Sequence, residues 1–204
     1  LAKQGAAWIN ETTLLVVCKE YVHVYACSND FEWSKIATTA VRVDQFWYRT
    51  TSYVLVAATS SSETKCRMHT YCIDSKHEFR LNERKVFEIS NVFEGIDSNI
   101  FQSSFNVCSV RGGVVCVYCD LQAMRLLVYF CDGEDSKDRA DRSYPLMRMA
   151  SASITIFDNV ICAHYLGEAL TVLYDLYSAC TTPMMASIHA NVPKINDPND
   201  YRPY

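Results

Sequence analysis

The sequence has no long basic run, no apolar stretch of membrane length, and no signature of a nucleotide site or a hydrolase nucleophile. Its net charge is −4 and its pI about 5.7. Nucleic-acid binders concentrate lysine and arginine on one face, so nucleic acid is not the expected partner. The longest apolar runs, such as Leu14–Cys18 and Val114–Cys119, fall well short of the ~18 residues a membrane helix needs. No secretory leader is expected from the first residues. The G-x-S-x-G elbow, the P-loop and the dinucleotide fingerprint are all missing, which removes the common motif-borne enzyme classes. No amphipathic helical period of useful length occurs either.

What is present is apolar and strand-like. Half of the 204 residues are hydrophobic and 21% are charged, the balance of an ordinary globular chain with a real core. Ten cysteines are present, and most sit inside apolar β-like runs, where a free thiol behaves as a small hydrophobe. A disulfide framework belongs to small, loop-rich secreted chains, so no disulfides and a reducing, cytoplasmic compartment are expected. Asn10-Glu11-Thr12 matches a glycosylation acceptor, a triplet that arises easily by accident.

The stretch from Ser153 to Leu176 organises the reading. Ser153–Phe157 and Val160–Tyr165 flank Asp158-Asn159, and asparagine accepts positive φ, so this pair predicts a hairpin turn. Leu170–Leu176 follows a short link containing Gly167, giving a second hairpin. Leu170, Val172, Tyr174 and Leu176 share one face of that strand and Thr171, Leu173 and Asp175 the other. Both faces are largely apolar, which suits a sheet covered on both sides, as in a propeller blade.

Upstream, strands are expected at Thr13–Cys18, Tyr21–Cys27, Trp33–Thr38, Val41–Tyr48, Tyr53–Thr59, Cys66–Asp74, Lys85–Ile89, Ser104–Val110, Val114–Asp120 and Met124–Phe130. Tyr144–Ala150 reads as an outer strand. Ser60–Lys65 reads as a polar loop, Asn91–Gln102 as irregular. The strands around Val24, Met68, Val128 and Val172 look equivalent, at spacings near the ~40–50 residues of a propeller blade with one long insertion. The expected fold is therefore all-β, a β-propeller (WD40-like) fragment of about three to four antiparallel blades over residues 1–190. Residues 191–204 form a polar linker or tail. A β-sandwich, which needs no period, is the alternative, because the Gly-His and Trp-Asp marks of WD repeats are missing.

Several constellations could in principle carry chemistry. Cys116-Val117-Tyr118-Cys119 has C-x-x-C spacing, but on a strand positions i and i+3 face opposite sides, so the sulfurs diverge. No second pair completes a four-ligand zinc set, and His69-Thr70-Tyr71-Cys72 fails likewise. Asp132-Gly133-Glu134-Asp135, with Asp138 and Asp141, suggests calcium. Its glycine is misplaced for an EF-hand loop, and Lys137, Arg139 and Arg142 are interleaved, so Cys131–Ser143 is expected to be an exposed, mobile, solvated loop. His164 lies beside Val160 and Cys162 on its strand and reads as structural. Thirteen tyrosines could mark an interface, though tyrosine is also a good strand residue. No catalytic, cofactor-binding or metal-binding residue is assigned, and no cofactor is expected.

Six segments together carry a resemblance. Asp158-Asn159-Val160-Ile161-Cys162-Ala163-His164, followed by Leu173-Tyr174-Asp175-Leu176, is similar to a D-N-L-V-V-V-H strand and an I-F-D-I-like strand. These belong to the N-terminal β-propeller of the Mic (colon-cancer-associated) family. Val22-His23-Val24-Tyr25 resembles that family's early E-F-Y-Q-V-type strand. Phe46-Trp47-Tyr48 with Ser52–Thr59 resembles its N-W-Y segment and the strand after it, and Val86-Phe87-Glu88-Ile89 its K-F-E-I strand. The order is colinear over roughly residues 14 to 176. Two departures stand out: Cys162-Ala163 replaces two valines, and Arg67-Met68-His69-Thr70-Tyr71 stands where the family has L-Q-P-F. The family's C-terminal helical domain is not in the sequence.

The resemblance implies a regulatory subunit of the late-endosomal Mon–Ccz complex, which assists nucleotide exchange on a Rab GTPase in endosome maturation and autophagy. It implies no enzyme activity, a protein partner, and membrane association through partners only, on late endosomes or lysosomes. Other readings stay open: a tether or coat subunit of vesicle trafficking, or a propeller hydrolase with polar groups converging on the central channel.

Overall fold

The computed structural model describes residues 3–74, 80–90, 92, 99–111, 113–131, 140–147, 152–178 and 180–189. Its strands form four antiparallel four-stranded sheets in strict sequence order, each a propeller blade. The first blade is β1 (Lys3–Asn10), β2 (Thr13–Cys18), β3 (Tyr21–Cys27) and β4 (Trp33–Ala40). The second is β5 (Gln45–Arg49), β6 (Val54–Ser62), β7 (Lys65–Asp74) and β8 (Arg80–Ser90). The third is β9 (Phe105–Val110), β10 (Gly113–Asp120), β11 (Arg125–Phe130) and β12 (Arg142–Pro145). The fourth is β13 (Ser153–Phe157), β14 (Val160–Tyr165), β15 (Leu170–Asp175) and β16 (Met185–His189). First strands of successive blades lie side by side, β9 touching both β5 and β13.

Strand alternation builds three cores, one at each blade junction. On β6, Leu55 and Ala57 face the first blade, while Val54, Val56 and Ala58 face the third. On β10, Val114, Cys116 and Tyr118 face the second blade, while Val115, Val117 and Cys119 face the fourth. Every residue from Val114 to Asp120 is therefore buried, because a strand sandwiched on both faces has no solvent side. The repeat spacing is explained by the same plan. Val24, Met68, Val128 and Val172 each lie on the third strand of their blade, β3, β7, β11 and β15.

The structure corrects several expectations. β1 does not stand out in the sequence, because Gly5, Ala6 and Ala7 leave it without an apolar alternation. At Gly5 a side chain would be crowded: a Cβ there would come within 2.8 Å of the Phe46 ring in the next blade. Val41–Asp44 is a linker rather than strand. It is pinned to both blades by hydrogen bonds from the Val43 N–H to the Lys19 carbonyl and from the Asp44 N–H to the Ala58 carbonyl. The polar segment Ser60–Lys65 is not a loop throughout, since β6 continues to Ser62 and β7 starts at Lys65. A short helix, α1 (Asn99–Ser104), occupies the end of the segment expected to be irregular. The end of the charged loop is ordered: Arg142 and Ser143 belong to β12, and Cys131 is buried. The expected mobility of the acidic stretch itself concerns residues 132–139, which lie outside the described residues, as does the tail expected at 191–204.

The turn at Asp158-Asn159 is where expected, with β13 and β14 pairing Phe157 to Val160. The residue in the left-handed region is Asp158, with φ 52°, and not Asn159. A β-branched side chain tolerates this conformation poorly, at a cost of ~1–2 kcal/mol. Asp158→Val is therefore expected to lower the unfolding free energy from urea denaturation by about that amount, while Asp158→Gly stays close to the parent; equal stabilities for the two variants would count against the strain argument.

Candidate functional site

Each of the three internal blade junctions is closed by apolar packing, so functional surface must lie on the end faces, the edges and the clefts between blade rims. Among the described residues, no three His, Cys, Asp or Glu side chains converge where they could hold a metal ion. Cys116 and Cys119 point into different cores, as their spacing requires on a strand. His69 Nδ1 lies 2.7 Å from Glu83 Oε1 on the neighbouring strand, and Cys72 does not share its face. His164 is held between two threonines, with Nε2 2.7 Å from Thr155 Oγ1 and Nδ1 3.0 Å from Thr171 Oγ1, the satisfied arrangement of a structural histidine. Six of the described tyrosines are buried and serve packing. Tyr129, Tyr144, Tyr165 and Tyr174 are fully buried, and Tyr144 donates its hydroxyl to the Asp175 carbonyl.

All ten cysteines are free thiols. Their environments differ sharply. Burial pushes the Cys66 thiol up to about 12, reinforced by the nearby Asp44 and Glu88 carboxylates. Burial likewise raises Cys119 to about 12, with Asp120 adding to it. Exposed Cys180 is lowered, because Thr182 hydrogen-bonds its sulfur at 2.8 Å. The thiolate is the nucleophile, and its fraction grows as pH rises towards the pKa. At pH 8 iodoacetamide is therefore expected to label Cys180 ahead of the other nine, and to leave Cys66 and Cys119 unlabelled until the chain unfolds. Peptide mapping over time would measure this; early labelling of Cys66 would contradict the burial.

The face of the first blade turned away from the second carries an aromatic tip. Trp8 on β1 and Trp33 on β4 are 54% and 49% exposed, and their ring centroids lie 5.8 Å apart. Phe31, in the turn before β4, is 86% exposed and sits at φ 61°. The turn is held by Ser28, whose N–H donates to the Glu32 carbonyl and whose carbonyl accepts from the Phe31 N–H. A bulky residue in left-handed conformation costs free energy, and here the ring is in solvent; Tyr53, Met124, Asp158 and Ala169 take the same backbone conformation. Backbone strain of this kind concentrates at functional positions.

A second feature is a cleft of about 600 Å³ between the rims of the first two blades. Arg42 in the linker, Thr59 and Ser60 on β6, and Arg67 and His69 on β7 line it, over Tyr71. Neither the aromatic tip nor the cleft is marked by a sequence motif, since each joins residues from different strands.

With this geometry in hand, the chain compares well with solved propellers. It is similar to Kluyveromyces lactis Hsv2p at 10% identity and TM-score 0.50, over 88% of this chain and 51% of that one. A K. lactis Hsv2 with its loop 6CD replaced by a Gly-Ser linker gives 9% identity and TM-score 0.51, over 95% and 56%. Hsv2 from Kluyveromyces marxianus gives 10% and 0.50, over 87% and 48%. The fold is a β-propeller. At these identities the likeness concerns fold alone, and the chain spans about half the length of the structures it matches. No family profile and no curated protein matches the sequence.

Proposed function

We propose that the chain is a non-enzymatic docking propeller, the regulatory subunit of a late-endosomal Rab guanine-nucleotide exchange complex of the Mon–Ccz type. The observation that carries the docking role is the strained, solvent-exposed aromatic tip formed by Trp8, Phe31 and Trp33. Aromatic side chains of this kind dominate the energetics of protein interfaces. Support for the particular partner comes from the colinear segments that resemble the Mic family. They fall on β3, β5, β6, β8, β14 and β15, in order along one propeller. The mechanism is positioning: a rigid surface holds the exchange subunits together, and membrane contact is made through them, on late endosomes or lysosomes from the cytoplasmic side.

The test is capture of the exchange complex from the same cell on the purified chain, with Rab nucleotide exchange measured alongside. Replacing Phe31 and Trp33 with alanine is expected to weaken capture by about 2 kcal/mol or more, roughly thirtyfold in affinity, with the β-sheet circular dichroism unchanged. Failure to retain the complex under conditions that keep the Mon and Ccz subunits together would reject the partner. Hydrolysis of a small substrate by the chain would reject the non-enzymatic reading.

A further inference from the structure

We infer that the cleft between the first and second blades is a binding site for a phosphate monoester dianion carried on a partner polypeptide. The inference rests on the reading of the chain as a protein-docking propeller, and not on the identity of the exchange complex.

The chemistry of the lining points to a dianion. Arg42 and Arg67 line the cleft with His69, Thr59, Ser60 and Ser61, the Thr59 hydroxyl donating to the Arg67 carbonyl at 3.4 Å. Among the described residues, no carboxylate lines it. The acidic groups packed nearby are already engaged. Asp44 is turned inward, 12% exposed, where its Oδ2 accepts the Ser60 N–H at 2.8 Å. Glu83 lies against His69 Nδ1 at 2.7 Å, and Glu88 accepts from Lys65 Nζ at 2.8 Å. Arg42 is 64% exposed and reaches Asp44 only at 3.8 Å, beyond a normal hydrogen bond. Arg67 sits opposite Glu88 on the ladder, but that carboxylate is held by Lys65. Guanidinium forks pair most strongly with phosphate oxygens, and a phosphate monoester offers three acceptor oxygens and up to two negative charges.

The cleft is also built as a fixed receptor. His69 stacks on Tyr71, with ring centroids 6.3 Å apart and planes 12° apart, and Glu83 Oε1 lies 2.7 Å from its Nδ1. Arg67 and His69 project from β7, and β7 pairs with strands on both sides. Arg42 comes from the linker that is hydrogen-bonded to both blades. The volume, about 600 Å³, exceeds what an isolated phosphate fills and leaves room for the side chain that carries it.

A polypeptide bearer fits better than an anionic bilayer. Docking on a bilayer needs a broad basic field, and the net charge here is −4, with Asp44, Glu83 and Glu88 around the cleft. None of the residues lining it is a large, exposed apolar side chain that could enter a membrane. Recognition of phosphorylated segments by clustered arginines is a recurring docking mode.

The experiment titrates the 204-residue chain, without any exchange subunit, with three peptides that differ only at one central residue: phosphoserine, serine or glutamate. Calorimetry reads the affinity. The phosphoserine peptide is expected to bind, the serine peptide to bind at least ~tenfold more weakly, and Arg67→Ala to remove most of the difference. Arg42→Ala should act in the same direction, while Arg111→Ala, an exposed arginine on the third blade, should leave binding unchanged. Arg67 is exposed, so its variants should fold, which the circular dichroism of each variant checks. Equal binding of the three peptides, or an Arg67→Ala variant with undiminished phosphopeptide affinity, overturns the site. So does Arg67-dependent binding to phosphatidylcholine vesicles containing phosphatidic acid with no binding of the phosphopeptide. Because no exchange subunit is present, these outcomes are independent of whether the chain is captured by the Mon–Ccz complex.

Discussion

Replacing Asp141 with asparagine is expected to lower the stability of the chain by about 3–5 kcal/mol, more than replacing Lys85 with methionine. Lys85 Nζ donates to Asp141 Oδ2 at 2.6 Å, and the Phe130 N–H donates to the same oxygen at 2.7 Å. The Lys85 side chain is 1% exposed, whereas that of Asp141 is 25% exposed. Removing the carboxylate charge strands an ammonium away from water, the costly half of a broken buried pair. Removing the ammonium leaves a carboxylate that water can reach and that keeps its backbone donor, so Lys85→Met should cost less. Paired urea denaturation curves would decide the order; a Lys85→Met variant less stable than Asp141→Asn would refute this account. The pair also joins β8 of the second blade to the approach to β12 of the third, so its loss should weaken that junction first.

Phe87→Ala is expected to cost about 3–5 kcal/mol as well, by a different route. Phe87 on β8 is completely buried and stacks on Tyr129 of β11, with ring centroids 4.0 Å apart and planes 15° apart. The ring fills the junction of the second and third blades with Met68, Ile89 and Cys116. Its removal leaves a cavity lined by β-strands whose backbones are fixed in their ladders, so collapse to refill it is limited. Phe87→Leu should recover much of the loss. Thermal melts of the two variants would show whether volume sets the effect. A change below 1 kcal/mol for Phe87→Ala would mean that the junction repacks freely.

The blade plan was legible in the sequence because its causes are local. Leu170, Val172 and Tyr174 alternate with Thr171, Leu173 and Asp175, and β15 follows from that alternation. The double-sided burial of Val114–Cys119 is visible as an unbroken apolar run. The opposite orientations of Cys116 and Cys119 follow from strand geometry alone. What escaped has non-local causes. β1 is specified by what Gly5 lies against, the Phe46 ring one blade away. Lys85 and Asp141 are 56 positions apart, and Asp141 is embedded among charges that read as a solvated loop. Arg42 and Arg67 meet only because the linker and β7 fold to the same cleft. The aromatic tip depends on Trp8 and Trp33 being brought together by the order of strands within one sheet.

The three junction cores have a further effect on how the molecule holds together. Each belongs to two neighbouring blades and to no others, so cohesion passes along the chain as through the links of a row. In such a row free energy is a sum of unit terms and nearest-neighbour couplings. The second and third blades each share two of these couplings, on opposite faces of β6 and of β10. A substitution in one core therefore weakens two blades at once and reaches a third only through the ladder of the blade between them. Loosening is expected to spread blade by blade, in steps that hydrogen exchange would resolve, and not through all the described blades together.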